Sequence, residues 1–186
     1  MISVDTDGYL VLPVGTRDHI QGLLTAPIVL VEYGDYQCSY CAQAVKVVRE
    51  VQHELGERLC YAFRHFPLME LHPDAVRAAE AAEAAAVQHQ FWEMHNQLFQ
   101  HQSALNETNL WHYAHNLGLN VDRFESDLNN EQHLRHIQED MRTGEESGVE
   151  STPTFFINGV RHVGNWDAGS LLNAMPHHGS YANEHY

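Results

Sequence analysis

The run Val31-Glu32-Tyr33-Gly34-Asp35-Tyr36-Gln37-Cys38-Ser39-Tyr40-Cys41 decides how this chain folds. Its upstream half belongs to Pro27-Ile28-Val29-Leu30-Val31-Glu32-Tyr33, a short apolar, β-branched stretch that reads as a buried strand. Gly34 to Gln37 is a loop, and Cys38-Ser39-Tyr40-Cys41 then opens a helical pattern. Apolar residues recur at Cys41, Ala44, Val45, Val48, Val51 and Leu55, one face of a helix. Gly56 closes it, as glycine does at a helix C-terminus. Leu59-Cys60-Tyr61-Ala62-Phe63 is a second strand, continuously apolar, as strands are in a sheet covered on both faces. Residues 27–71 are thus a βαβ unit with C-x-x-C at its first turn.

Outward from this unit the pattern changes. Residues 1–26 read as an extended arm with turns at Asp7-Gly8 and Pro13-Val14-Gly15. Residues 72–147 carry no strand signal. Pro73 marks a helix start, Ala75 to Val87 are strong helix formers, and Phe91, His95, Leu98 and Phe99 continue one face. Further helical faces run through Leu110 to Leu117, stopped by Gly118, then Phe124 and Leu128, then Leu134 to Met141. This is an inserted helical subdomain. Strands return in 148–176, where Thr154-Phe155-Phe156-Ile157 and Val160-Arg161-His162-Val163 flank Asn158-Gly159, a strong hairpin signal. Asp167 caps a last helix that Pro176 stops, and 177–186 form a polar tail.

Composition narrows the function. The chain has 186 residues, a size for one domain with an insertion, and a formal net charge of -15. That charge opposes nucleic acid and anionic membrane surfaces as partners. No apolar run approaches the ~20 residues of a membrane helix. The N-terminus has no basic and apolar leader pattern, so a cytoplasmic location is expected. Cys38, Cys41 and Cys60 are too few for a secreted disulfide framework. A C-x-x-C pair is either half of a zinc site or a redox dithiol at a helix start. Fifteen histidines are many for this length, with His177, His178 and His185 in the tail, yet none stands at zinc-site spacing, so no specific metal site is expected. Cys60 within its strand, and Trp92 and Met94 on their helix, read as core, and His65 and His72 as packing or capping residues.

The order strand, C-x-x-C helix, strand, helical insert, Thr-Pro, hairpin and final helix resembles the DsbA-like thioredoxin-fold disulfide oxidoreductases. The resemblance runs from about Asp18 to Met175. It rests on the opening run, on Phe63-Arg64-His65-Phe66-Pro67-Leu68, on Phe91-Trp92-Glu93-Met94-His95, and on Gly148 to Gly159 with Thr152-Pro153. It implies an α/β thioredoxin-like fold with an inserted helical subdomain. It also implies a thiol-disulfide oxidoreductase that needs no cofactor, exchanges with protein or peptide thiols, and has glutathione or another thiol as a redox partner.

The chemistry then assigns roles. Exchange needs a thiolate, and a helix N-terminus acidifies a thiol with its free N–H groups and dipole. Cys38 at that position is the expected nucleophile, and Cys41, one turn deeper, the resolving thiol. The resemblance implies that Glu32 relays the proton of Cys41 and that Pro153 is cis. It further implies that the Thr152 backbone, with Tyr36, Ser39 and Tyr40 around it, meets an extended substrate. Tyr40 supplies no cation beside Cys38, so a less acidic thiol is expected than in relatives with histidine there. The cytoplasmic expectation favours the reductase or isomerase direction over oxidation. Two alternatives stand beside this reading: a kappa-type glutathione-dependent transferase or isomerase, which generally has serine at the first position, and a non-enzymatic peptide-binding module.

Overall fold

The computed structural model describes residues 8–129 and 131–176, apart from the side chains of 131 and 132. The polar tail and its histidines therefore lie outside the described residues. Five strands form one sheet in the order β1-β3-β2-β4-β5. The central pair is β2 (Ile28–Gly34) and β3 (Leu59–His65), parallel and joined through helix α1 (Ser39–Leu55). On one side β4 (Thr154–Ile157) runs antiparallel to β2 and is followed by β5 (Val160–Arg161). The β4–β5 turn has Asn158 and Gly159 at φ 49° and 81°, left-handed values that this dipeptide tolerates. On the other edge β1 (His19–Gln21) pairs antiparallel with β3.

From residue 8 onward the N-terminal arm is tied to both edges of the sheet. Besides β1, Tyr9 bridges to Val160 at the far edge. Asp18 is locked to the buried Arg64, whose Nε lies 2.8 Å from Oδ1 and whose Nη1 donates to the Tyr33 hydroxyl at 3.0 Å.

The insert comprises α2 (Ala75–Ala86), α3 (Phe91–Gln100), α4 (Glu107–Asn116), α5 (Val121–Leu128) and α6 (Glu131–Glu146), and the chain closes with α7 (Ala168–Ala174). α2 starts at Ala75, with Pro73 in the turn before it rather than inside its first turn. The face read as continuous across residues 75–99 is broken into two helices, with His89 at φ 62° in the joint. One face of the sheet packs on α1, the insert and α7 through Leu30, Tyr61, Phe63, Phe91, Met94 and Leu98. The other face, with Val31, Tyr33, Ala62, Phe66 and Phe156, packs around Met141 of α6. Gly144 permits that approach, because a Cβ there would lie 2.8 Å from the Phe66 ring and 2.9 Å from that of Tyr33. Both faces being covered explains the continuously apolar strands.

Candidate active site

The site forms where β2 runs into α1. Buried Asp35 shapes that loop: its carboxylate accepts from the backbone N–H of Gln37 at 2.7 Å and of Leu68 at 2.8 Å, and meets His72 Nδ1 at 2.8 Å. Gln37 pairs reciprocally with Asp74 at the start of α2. Gln102, beyond α3, donates to the Tyr36 and Cys38 carbonyls at 2.7 and 2.8 Å. The insert thus grips the turn that presents the first cysteine.

Cys38 is the N-cap of α1, with extended φ and ψ of -71° and 119° and no side-chain cap bond. The first amides of the helix are left free for the sulfur itself. Hydrogen bonding from the Cys41 thiol is the largest influence on Cys38. Burial opposes it, while the Thr152 side chain and the backbone N–H groups of Cys41 and Tyr40 add to it, bringing the thiol down to about 5. In the dithiol form shown here the Cys38 thiol donates to the Thr152 carbonyl at 3.3 Å. The buried Thr152 hydroxyl has no partner in that form, so it is free to turn to the sulfur on ionisation.

Cys41 has the opposite environment. It is fully buried, and burial, its bond to Cys38 and the charge of Glu32 push it well above the ordinary thiol range. The Asp35 N–H approaches its sulfur at 3.5 Å. Glu32 is 1% exposed. Its Oε2 accepts from the Tyr61 hydroxyl at 2.7 Å, whereas Oε1 is buried without a partner. Burial raises its carboxyl to about 8, against the Tyr61 bond and helped by the Cys38 charge. A dithiol with one acidified and one suppressed thiol thus sits against a carboxyl that holds its proton near neutrality.

Thr152-Pro153 is a cis peptide bond at the entry to β4, beside Cys38. Pro153 is half-buried and lines a cleft of about 550 Å³ with Ser151, Phe155, His162, Val163 and Trp166. Ser39 and Tyr40 are exposed, Tyr40 to 60%. Tyr36 corrects an expectation. It is 1% exposed rather than part of the open surface around the dithiol. Its hydroxyl meets His95 Nδ1 at 3.2 Å and its ring packs on Phe63 and Phe99, so it anchors the loop and offers substrate no surface.

Sequence reading missed Tyr61, Asp35 and Gln102. Tyr61 lies on the neighbouring strand in register with Leu30, two residues from Glu32, and only strand pairing reveals it.

The thioredoxin family model Thioredoxin_4 matches residues 15–175. The chain belongs to that family. Among solved structures it is similar to BdbD from Bacillus subtilis, with a TM-score of 0.78 and 20% identity over 90% of this chain and 96% of that one. A thioredoxin-like oxidoreductase from Silicibacter pomeroyi gives a TM-score of 0.77 and 24% identity over 86% of this chain and 91% of the other. The fold is the mixed α/β thioredoxin-like sheet with inserted helices seen in DsbA-like structures, and it carries the Cys38–Cys41 C-x-x-C pair at the start of α1. Among curated proteins, the Na(+)/H(+) antiporter NhaA 1 of Mycolicibacterium vanbaalenii is 43% identical over 161 residues. That match takes in 86% of this chain but only 26% of the antiporter.

Proposed function

We propose that this family member donates its disulfide to pairs of protein thiols in extended segments. Support for the direction comes from the electrostatics of the dithiol. A thiol at about 5 stabilises the reduced, thiolate form, and that makes the disulfide more oxidising. The reductive direction expected from the sequence rested on the N-terminus alone, and the site lends it no support.

In the forward half-reaction a substrate thiolate attacks Cys38 Sγ of the Cys38–Cys41 disulfide. The S–S bond breaks, a mixed disulfide forms on Cys38, and Cys41 leaves as a thiolate that takes a proton. Glu32, neutral near pH 7 with its carboxyl at about 8, supplies that proton, and its unpaired Oε1 is the atom available to exchange it. A second substrate thiolate then attacks the substrate sulfur, closing the substrate disulfide and releasing Cys38 as a stabilised thiolate. Two electrons pass from the substrate to the protein. Glutathione disulfide or another small disulfide recharges the pair. The cis Thr152-Pro153 segment beside Cys38 has the position from which backbone atoms pair with an extended substrate.

Among the described residues no helix is long and apolar enough to cross a membrane.

The test is trapping. Cys41→Ser removes the resolving thiol and should accumulate mixed disulfides with reduced peptides after activation of Cys38. Cys38→Ser should accumulate none. No covalent adduct on Cys41→Ser beyond that on Cys38→Ser under non-reducing denaturation would reject exchange at Cys38, and full function of Cys38→Ser would favour a binding module.

A further inference from the structure

Away from the dithiol, three histidines from three elements converge on one carboxylate. Glu83, buried in the alanine-rich α2, has Oε1 2.7 Å from Nε2 of His19 on β1 and 2.8 Å from Nε2 of His65 at the end of β3. Its Oε2 lies 3.0 Å from Nδ1 of His136 on α6. Ligand atoms of His19, Glu83 and His136 all lie within 4.8 Å of one another. Burial pushes the Glu83 carboxyl up, but the bonds from His136, His19 and His65 outweigh it and hold the group ionised.

The surroundings fix these side chains. The His19 ring stacks on Phe91 with centroids 3.5 Å apart and planes 9° from parallel. His136 turns its other nitrogen, Nε2, toward Asp140 Oδ1 at 3.9 Å. Such a carboxylate behind an imidazole is the usual support of a histidine ligand. His65 is buried and holds Oε1 from behind, while His19 and His136 are half-buried and leave a path to solvent. Arg17, the nearby cation, is already shared by Asp18, Glu139 and Asp140. None of these groups enters the exchange reaction.

We propose that His19 Nε2, the Glu83 carboxylate and His136 Nδ1 form a binding site for a divalent transition ion, best matched by Zn²⁺, with water completing the coordination. Two imidazoles and one carboxylate are a zinc donor set that leaves a position open, whereas Ca²⁺ and Mg²⁺ select all-oxygen sites. On binding, each ring coordinates through the nitrogen that faces Glu83 and keeps one proton on its other nitrogen, and only a ring that starts doubly protonated releases a proton to solvent. His65 keeps its bond to Oε1. Bound there, the ion clips edge strand β1 to helices α2 and α6, which are remote in sequence, so it should stabilise the folded chain by an amount that grows with the logarithm of its free concentration above Kd.

The test uses the full chain with Cys38–Cys41 oxidised, which withdraws those thiols from competition. Zn²⁺ is titrated calorimetrically and Co²⁺ by its visible absorption. One equivalent should bind, and His19→Gln or His136→Ala should each weaken binding by about 100-fold or more. Replacing His177, His178 and His185 with alanine should leave that equivalent intact. Ring-nitrogen NMR of the unsubstituted chain needs no variant to fold: at one equivalent of Zn²⁺, direct coordination should appear at His19 Nε2 and His136 Nδ1. Coordination at other rings, binding lost with the tail histidines, or folded site variants that bind as well as the parent chain would each overturn the proposal.

Discussion

Replacing Glu32 with glutamine tests the proton-holding carboxyl through stability, independently of turnover. Raising a buried carboxyl from 4.5 to about 8, at ~1.4 kcal/mol per tenfold change in proton affinity, makes the ionised form about 5 kcal/mol costly to keep in the fold. The sign follows from proton counting. Below pH ~4.5 the carboxyl is neutral in both folded and unfolded chains and costs nothing. Above that, the unfolded chain ionises while the folded one keeps its proton, so stability falls as pH rises, until the folded group ionises near 8. By pH 7 the loss is about 3 kcal/mol. Cys38 acts in the opposite sense, because a thiol lowered to about 5 gains stability as pH rises above that value. The comparison therefore belongs in a Cys38→Ser, Cys41→Ser background, with and without Glu32→Gln. Removing the Cys38 charge also removes the smallest contribution to the Glu32 shift, so the slope there is a little shallower. Urea unfolding every half pH unit from 5 to 8 gives two curves, and their difference cancels the histidines and the remaining carboxylates. The glutamine chain should gain on the glutamate chain by about 1 kcal/mol per pH unit through this range. A flat difference would mean that Glu32 titrates as an ordinary carboxyl, and the proton role assigned to it would fail.

The remaining predictions concern the dithiol, its proton partner and the fold. With Cys38 at about 5, between thioredoxin (~7, ~-270 mV) and DsbA (~3.5, ~-120 mV), the couple should titrate near about -190 mV in graded glutathione buffers; a value at or below thioredoxin's would refute disulfide donation. Tyr61→Phe removes the bond that lowers the Glu32 carboxyl, so carbon-13 NMR of the Glu32 carboxyl should show its titration moving above about 8; an unmoved or lowered midpoint would show that the bond contributes nothing. Asp18→Asn strips the buried Arg64 of its counter-charge and should cost about 3 kcal/mol or more in urea unfolding; a loss under about 1 kcal/mol would mean that the arm adds little to the fold. Gly159→Ala places a Cβ in open space but at φ 81°, so it should cost about 1 kcal/mol through backbone conformation alone, and an unchanged melting curve would contradict that.

What the sequence made legible is what local chemistry dictates. The Asn158-Gly159 turn, the stop at Gly118 and the Asp167 cap each depend on one or two residues, and each appears at its position. Cys38 and Cys41 were readable for the same reason, because four residues and a helix start define them. β1 was not readable: His19-Ile20-Gln21 is half-buried throughout and becomes a strand only by pairing with Tyr61 to Phe63. The break between α2 and α3 was hidden because good helix formers run up to it, and the turn depends on His89 adopting a left-handed backbone.

Tyr36 shows where a motif position does not reveal which way a side chain points. The resemblance places it among the residues that meet substrate, but the direction of its side chain decides otherwise. With its hydroxyl against His95 and its ring on Phe63 and Phe99, it ties the dithiol loop to α3. Glu32 shows the converse. The resemblance points to it, yet its protonation depends on the depth of burial and on Tyr61, which lies in the adjacent strand. The two cysteines are local in this chain, whereas Thr152 and Tyr61, which act on the proton affinities of Cys38 and Glu32, join them only through the sheet. Variants at Tyr61 should therefore shift the pH dependence of exchange through Glu32 while leaving both cysteines in place, an effect that the C-x-x-C spacing alone does not predict.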